Sequence, residues 1–177
     1  MMKKILLLST LLLTSLSVHA NPQAEALFQT INDRLSYMED VALFKANNHL
    51  AIEDIEREEV VLNNAVKSAG DYGLAPQQVK DFFAAQVSVA KAIQYRHRAD
   101  WLSQPANNEP RDLKTVIRPA LLTLGNQINE QLSDYVKHHG QITAEQSDLF
   151  NQVITIKYVS NDDKSMLFNA LKKVDIQ

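Results

Sequence analysis

The 177-residue sequence has no cysteine. Disulfides, zinc–thiolate and iron–sulfur centres and thiol nucleophiles are therefore excluded as sources of stability or chemistry, and an oxidising compartment is tolerated without being exploited. Histidine is sparse too. Beyond His19 there are His49, His97, His138 and His139. No two of these stand at the i, i+4 spacing of a helical metal site, and the adjacent His138 and His139 point in different directions on a helix. Glycine-rich nucleotide loops are missing, because only four glycines are present. With five prolines and no alternating apolar–polar stretch of any length, the chain carries helical periodicity almost throughout and reads as all-α.

Long apolar runs are confined to the N-terminus. Met1-Met2-Lys3-Lys4 precedes the run Ile5 to Leu13, and small residues follow at Val18 and Ala20. A charged start, a short apolar centre and small residues before a cut are the three parts of a secretory signal peptide, with cleavage expected between Ala20 and Asn21. The run is well short of the roughly 20 residues needed to span a bilayer, so a retained anchor is the weaker reading. Removing residues 1–20 leaves one domain, 21–177, in a periplasmic or secreted setting. Loss of Lys3 and Lys4 takes the net charge from −3 to −5, which leaves no basic footprint for nucleic acid or for a membrane surface.

About six helices are expected in that domain, with no β-sheet. Periodicity predicts the first over about Gln23–Asn48, the second from near Ile52 to Ser68, and the third from Pro76 to about Leu102. Gln104–Arg111 reads as a surface connection. A fourth helix runs through Leu121, Leu124, Ile128 and Leu132 until Gly140. Thr143-Ala144-Glu145-Gln146 has the form of a capping box. Helices over about 144–158 and 162–173 follow, with Asn161–Lys164 as the turn between them.

Several polar side chains interrupt the apolar faces. Arg34 and Lys45 are eleven residues apart, so on one continuous helix they point the same way and lie roughly 16 Å apart along the axis. Asp54, Arg57 and Glu58 fall at i, i+3 and i+4 and share a face. Gln94 lies inside the segment Ala90-Lys91-Ala92-Ile93-Gln94-Tyr95. Taken singly, such residues are most often solvated charges or surface ion pairs, and periodicity alone does not name a site.

Together they resemble a known family. Arg34-Leu35, Asp40–Lys45 and Ala51–Glu58 resemble, in order and spacing, the substrate-binding core of the AroQ-class chorismate mutases. Lys91–Arg96, Ala99-Asp100-Trp101, Arg111-Asp112-Leu113 and Arg118–Leu121 are similar to the secreted, gamma-type subgroup. The resemblance is clear from Gln23 to Leu132 and weaker beyond. It implies an all-helical homodimer with each site built within one subunit, acting on chorismate without a cofactor or metal. By position it implies that Arg34 and Arg118 grip the two carboxylates, and that Lys45 contacts a carboxylate and the ether oxygen. It likewise implies that Gln94 donates to the ether oxygen, that Glu58 and the backbone near Asp54 take the ring hydroxyl, and that Arg57 binds substrate or braces the acidic pair. The sequence departs from the pattern at Ala90, where many relatives carry a hydroxyl one turn before the glutamine.

The reaction so implied is the Claisen rearrangement of chorismate to prephenate. Two arginine forks can fix both ends of a flexible dianion, and donors aimed at the ether oxygen bind the transition state better than the ground state. The competing class is a non-enzymatic periplasmic helical protein whose charged face binds a small anion or a client. A prephenate dehydratase or dehydrogenase finds no support, since no second domain is present.

Overall fold

The computed structural model describes residues 21–177; the expected signal peptide lies outside the described residues. Helix α1 spans Pro22–Ser36 and α2 spans Met38–Asn47. Asn21 caps α1, its side-chain oxygen accepting from the amides of Gln23 and Ala24, while Pro22 occupies a first-turn position that needs no N–H. The single long helix expected over Gln23–Asn48 is thus interrupted at Tyr37. The break is shallow, because Tyr37 keeps a right-handed backbone (φ −72°, ψ −11°) and its carbonyl still accepts from the Val41 amide at 3.0 Å.

Helix α3, Ile55–Tyr72, starts three residues later than periodicity suggested and ends one turn later. Residues 48–54 stay out of the helix because their carbonyls are claimed from outside: Lys45 Nζ donates to the Ile52 carbonyl at 2.6 Å and Arg98 to that of Leu50 at 2.5 Å. Asp54 then caps α3, accepting from the Arg57 amide at 3.1 Å. Gly73, with φ +73°, stops the helix in a left-handed conformation that residues with a Cβ avoid.

Helix α4, Pro76–Trp101, is the longest element and runs as expected. A π-helical turn, Leu113–Ile117, leads into α5, Arg118–His139, which Gly140 ends. The Thr143–Gln146 capping box forms and opens a short 3-10 turn before α6, Ser147–Val153. The expected helix over 144–158 stops early. Past Val153 the Thr155 amide bonds to the side-chain oxygen of buried Asn32 at 3.0 Å, and Tyr158 takes φ +70°. Helix α7, Asn161–Leu171, begins where a turn was expected, because Ser160 and Asp163 form a second capping box.

Helix α4 lies at the centre, in contact with α2, α3 and α7, while α5 packs on α1 and α3, and α6 on α1. Phe28, Phe82, Phe83, Phe150, Leu35 and Ile93 are among the fully buried side chains, and Phe28 meets Phe150 edge-on at 5.1 Å. An isolated antiparallel bridge, Leu74 to Ile176, ties the last residues to the α3–α4 turn. Among the described residues there is no strand, and no helix is long and apolar enough to cross a membrane.

Candidate active site

A cavity of about 130 Å³ opens between α2, α3, α4 and α5. That is some ten times the space of about 10–15 Å³ that one water occupies, and it suits a small molecule rather than a polymer. All seven residues singled out from the sequence line it: Arg34, Lys45, Asp54, Arg57, Glu58, Gln94 and Arg118. The α1–α2 pair supplies Arg34 and Lys45, the first turn of α3 supplies Asp54, Arg57 and Glu58, α4 supplies Gln94, and α5 opens with Arg118. Apolar walls are contributed by Val61, Phe83, Val87 and Leu121. A Cβ on Gly125 would lie 3.4 Å from the Phe83 ring, so α5 and α4 are packed here to van der Waals contact.

Arg34 is 5 % exposed, with Nη1 donating to Gln86 Oε1 at 3.2 Å and its guanidinium 5.5 Å from the centre of the Phe83 ring. Burial, with Arg57 as a second cause, pushes its pKa down to about 10. Nε has no protein partner. Lys45 is also buried, and its pKa lies below the usual lysine value: burial lowers it most, Asp54 opposes that, Arg98 lowers it further, Glu58 raises it and Arg118 lowers it. One of its three N–H groups is committed to Ile52, which leaves two for a ligand. The Arg57 guanidinium is pushed down by partial burial and then by Arg118, with Asp54 opposing.

Gln94, 4 % exposed, donates from Nε2 to the Ala90 carbonyl at 3.0 Å. Its second N–H is held only by the Met38 sulfur, at 3.7 Å, and is the one free to serve a ligand acceptor. Asp54 lies 4.0 Å from Arg118, and Glu58 Oε1 accepts from the Asp54 amide at 3.4 Å. Sequence reasoning passed over Lys91, Asn64 and Asn126, which also line the cavity, and Gln86, which holds Arg34 from behind. Gln86, Ala90 and Gln94 fall at i, i+4 and i+8, so the buried glutamine face of α4 was legible in principle.

Counting Lys91, five cations and two carboxylates line the cavity, an excess of three positive charges within a chain whose net charge is −3. A concave site with low-dielectric walls and this imbalance draws small polyanions. Its donors are fixed by helices, so binding a dianion with two separated carboxylates requires little reorganisation.

The family model for chorismate mutase type II matches residues 25–95, a range that includes six of the seven predicted residues and leaves out Arg118. The secreted chorismate mutase of Yersinia pestis is 40 % identical over 161 residues, which cover 88 % of this chain and 85 % of that one. A monofunctional chorismate mutase from Enterobacter agglomerans is 37 % identical, covering 86 % of this chain and 83 % of its own. The crystal structure of the Yersinia pestis secreted enzyme superposes with a TM-score of 0.81 at 38 % identity, over 85 % of this chain and 97 % of that one. The chain belongs to the chorismate mutase type II family.

Proposed function

We propose that this chorismate mutase works in the periplasm as a homodimer, after cleavage between Ala20 and Asn21, and that the cavity described above is its active site. The name of the Yersinia pestis relative, a secreted chorismate mutase, and the signal-like form of residues 1–20 support the location. The observation that carries the site is the excess of three positive charges in a small, mostly apolar cavity.

Chorismate is a dianion that must be held folded while one carbon–oxygen bond breaks and one carbon–carbon bond forms. Arg34, from α1, and Arg118, from α5, grip the two carboxylates, and Arg57 adds a third positive charge to the same cavity. Glu58 and the Asp54 backbone accept or donate at the ring hydroxyl. As the carbon–oxygen bond lengthens, negative charge grows on the ether oxygen. Lys45, through its two uncommitted N–H groups, and Gln94, through its second amide N–H, donate to it there. Removing one such donor costs on the order of a hundredfold in rate. No nucleophile, proton transfer or cofactor is needed, because the carbon–oxygen bond breaks as the carbon–carbon bond forms within one cyclic array of electrons in a single molecule. At Ala90 the side chain offers no hydroxyl to a substrate carboxylate; its backbone carbonyl accepts from the Gln94 amide.

The test is turnover of chorismate, followed by the loss of its ultraviolet absorbance, by residues 21–177 beside Lys45→Ala and Arg57→Ala. Rapid turnover by the parent chain and a loss of a hundredfold or more in Lys45→Ala is expected. If the parent chain leaves chorismate unchanged, the helical binding-protein reading takes its place.

A further inference from the structure

Three side chains on one face of α4, Lys91, Tyr95 and Arg98, occupy positions i, i+4 and i+7. All three reach the segment between α2 and the first turn of α3. Lys91 Nζ donates to Glu58 Oε2 at 3.0 Å and to Glu53 Oε2 at 2.8 Å. The Tyr95 hydroxyl donates to Glu53 Oε1 at 3.3 Å, and Arg98 to the Leu50 carbonyl at 2.5 Å. The segment they hold carries the Ile52 carbonyl that engages Lys45, the Asp54 cap and Glu58 itself.

Glu58 is thus tied at both oxygens, Oε2 by Lys91 and Oε1 by the Asp54 amide. Without the lysine, a glutamate with three rotatable bonds has better partners in the cavity, since Arg57 and Arg118 line the same space. Pairing with either would remove the cations that the substrate carboxylates require. We propose that Lys91 is a positioning residue that fixes the Glu58 carboxylate at the cavity wall, keeping it directed at the substrate hydroxyl and away from Arg57 and Arg118.

Energetics favour this use over a structural one. The Lys91 side chain is 26 % exposed, and those of Glu53 and Glu58 are 50 % and 24 % exposed, so both pairs are open to solvent screening and add modestly to folding. The value of the lysine lies in the geometry it imposes. The inference rests on the mutase reading above.

Steady-state kinetics and thermal unfolding of residues 21–177 test it, using Lys91→Met, Lys91→Arg, Glu58→Gln and the double variant Lys91→Met/Glu58→Gln. The hydroxyl contact binds ground state and transition state alike, so Lys91→Met is expected to raise KM roughly five- to tenfold with kcat within about twofold. Its unfolding temperature is expected to shift by no more than about 2 °C. Lys91→Arg restores KM, and the double variant matches Glu58→Gln alone because the lysine acts through the glutamate. Wild-type kinetics in Lys91→Met, or multiplying effects in the double variant, overturn the inference and leave the mutase reading intact. A parent chain without chorismate turnover overturns both.

Discussion

Function and stability oppose each other at Arg34, and the opposition can be measured. Burial first, and Arg57 second, bring its pKa down from the ordinary arginine value to about 10. That fall corresponds to roughly 3 kcal/mol disfavouring the charged form in the folded chain. At neutral pH the group is charged in both folded and unfolded states, so the full cost is present. It is relieved only as pH rises above about 10, where the unfolded chain still holds a proton that the folded chain has released. Two contacts offset it: the hydrogen bond to Gln86, and the Phe83 ring face, worth about 1 kcal/mol. Arg34→Met alone strands the buried Gln86 oxygen, a penalty of about 1–3 kcal/mol, and is expected to be nearly neutral. Arg34→Met with Gln86→Leu removes both partners. The double variant is expected to be about 2 kcal/mol more stable than the parent, while turnover falls by two orders of magnitude or more because one substrate carboxylate has lost its fork. Urea unfolding at pH 7 and matched protein concentration, beside the chorismate assay, reads both quantities. A double variant less stable than the parent by 1 kcal/mol or more, or one that keeps full turnover, refutes the reasoning.

Other expectations follow from the same geometry. Gln94→Glu places at the ether oxygen a group that donates only when protonated, so its kcat/KM is expected to climb as pH falls from neutral to mildly acidic; the parent profile stays flat at this position, and matching profiles would contradict the donor role. His97, 3 % exposed between Trp101 and Tyr158, has its pKa lowered mainly by burial; Glu39 opposes that, Lys157 adds to it and Asp100 opposes. The stability tied to neutral His97 is present above about pH 6.5 and lost as pH falls toward the lower folded value. His97→Phe is therefore expected to lose less unfolding temperature than the parent between pH 7.5 and 5. Asp163 accepts from Arg96, from the Ser160 amide at 2.8 Å and from the Ser160 hydroxyl at 2.8 Å; burial raises its pKa, and these bonds more than reverse that. Asp163→Asn is expected to cost about 1–3 kcal/mol of stability near neutral pH, measurable by urea unfolding, and an unchanged midpoint would argue against the network.

The helices were legible because apolar spacing and a shortage of breakers act locally. The departures have tertiary causes. Tyr37 interrupts the first helix without turning Arg34 away from Lys45, since its backbone stays right-handed. Residues 52–54 and 154–158 were expected to be helical, yet backbone groups there are bonded to Lys45 and Asn32. Six of the seven candidate residues lie within the family-model match, and Arg118, beyond it, joins them in the cavity through the pairing of α5 with α3. Lys91 was not singled out as a site residue, because its two carboxylate partners are more than thirty residues away in sequence. Asn64 and Asn126 become neighbours of the cavity only once α3 and α5 are packed together.

The central claim is that a donor fixed at the growing charge of the ether oxygen drives the rearrangement. Steady-state kinetics of Gln94→Ala on chorismate test it most directly. The account predicts a fall in kcat of about a hundredfold with KM changed only a few-fold, since that amide N–H serves the transition state more than the ground state. An unchanged kcat, or a loss confined to KM, would contradict it.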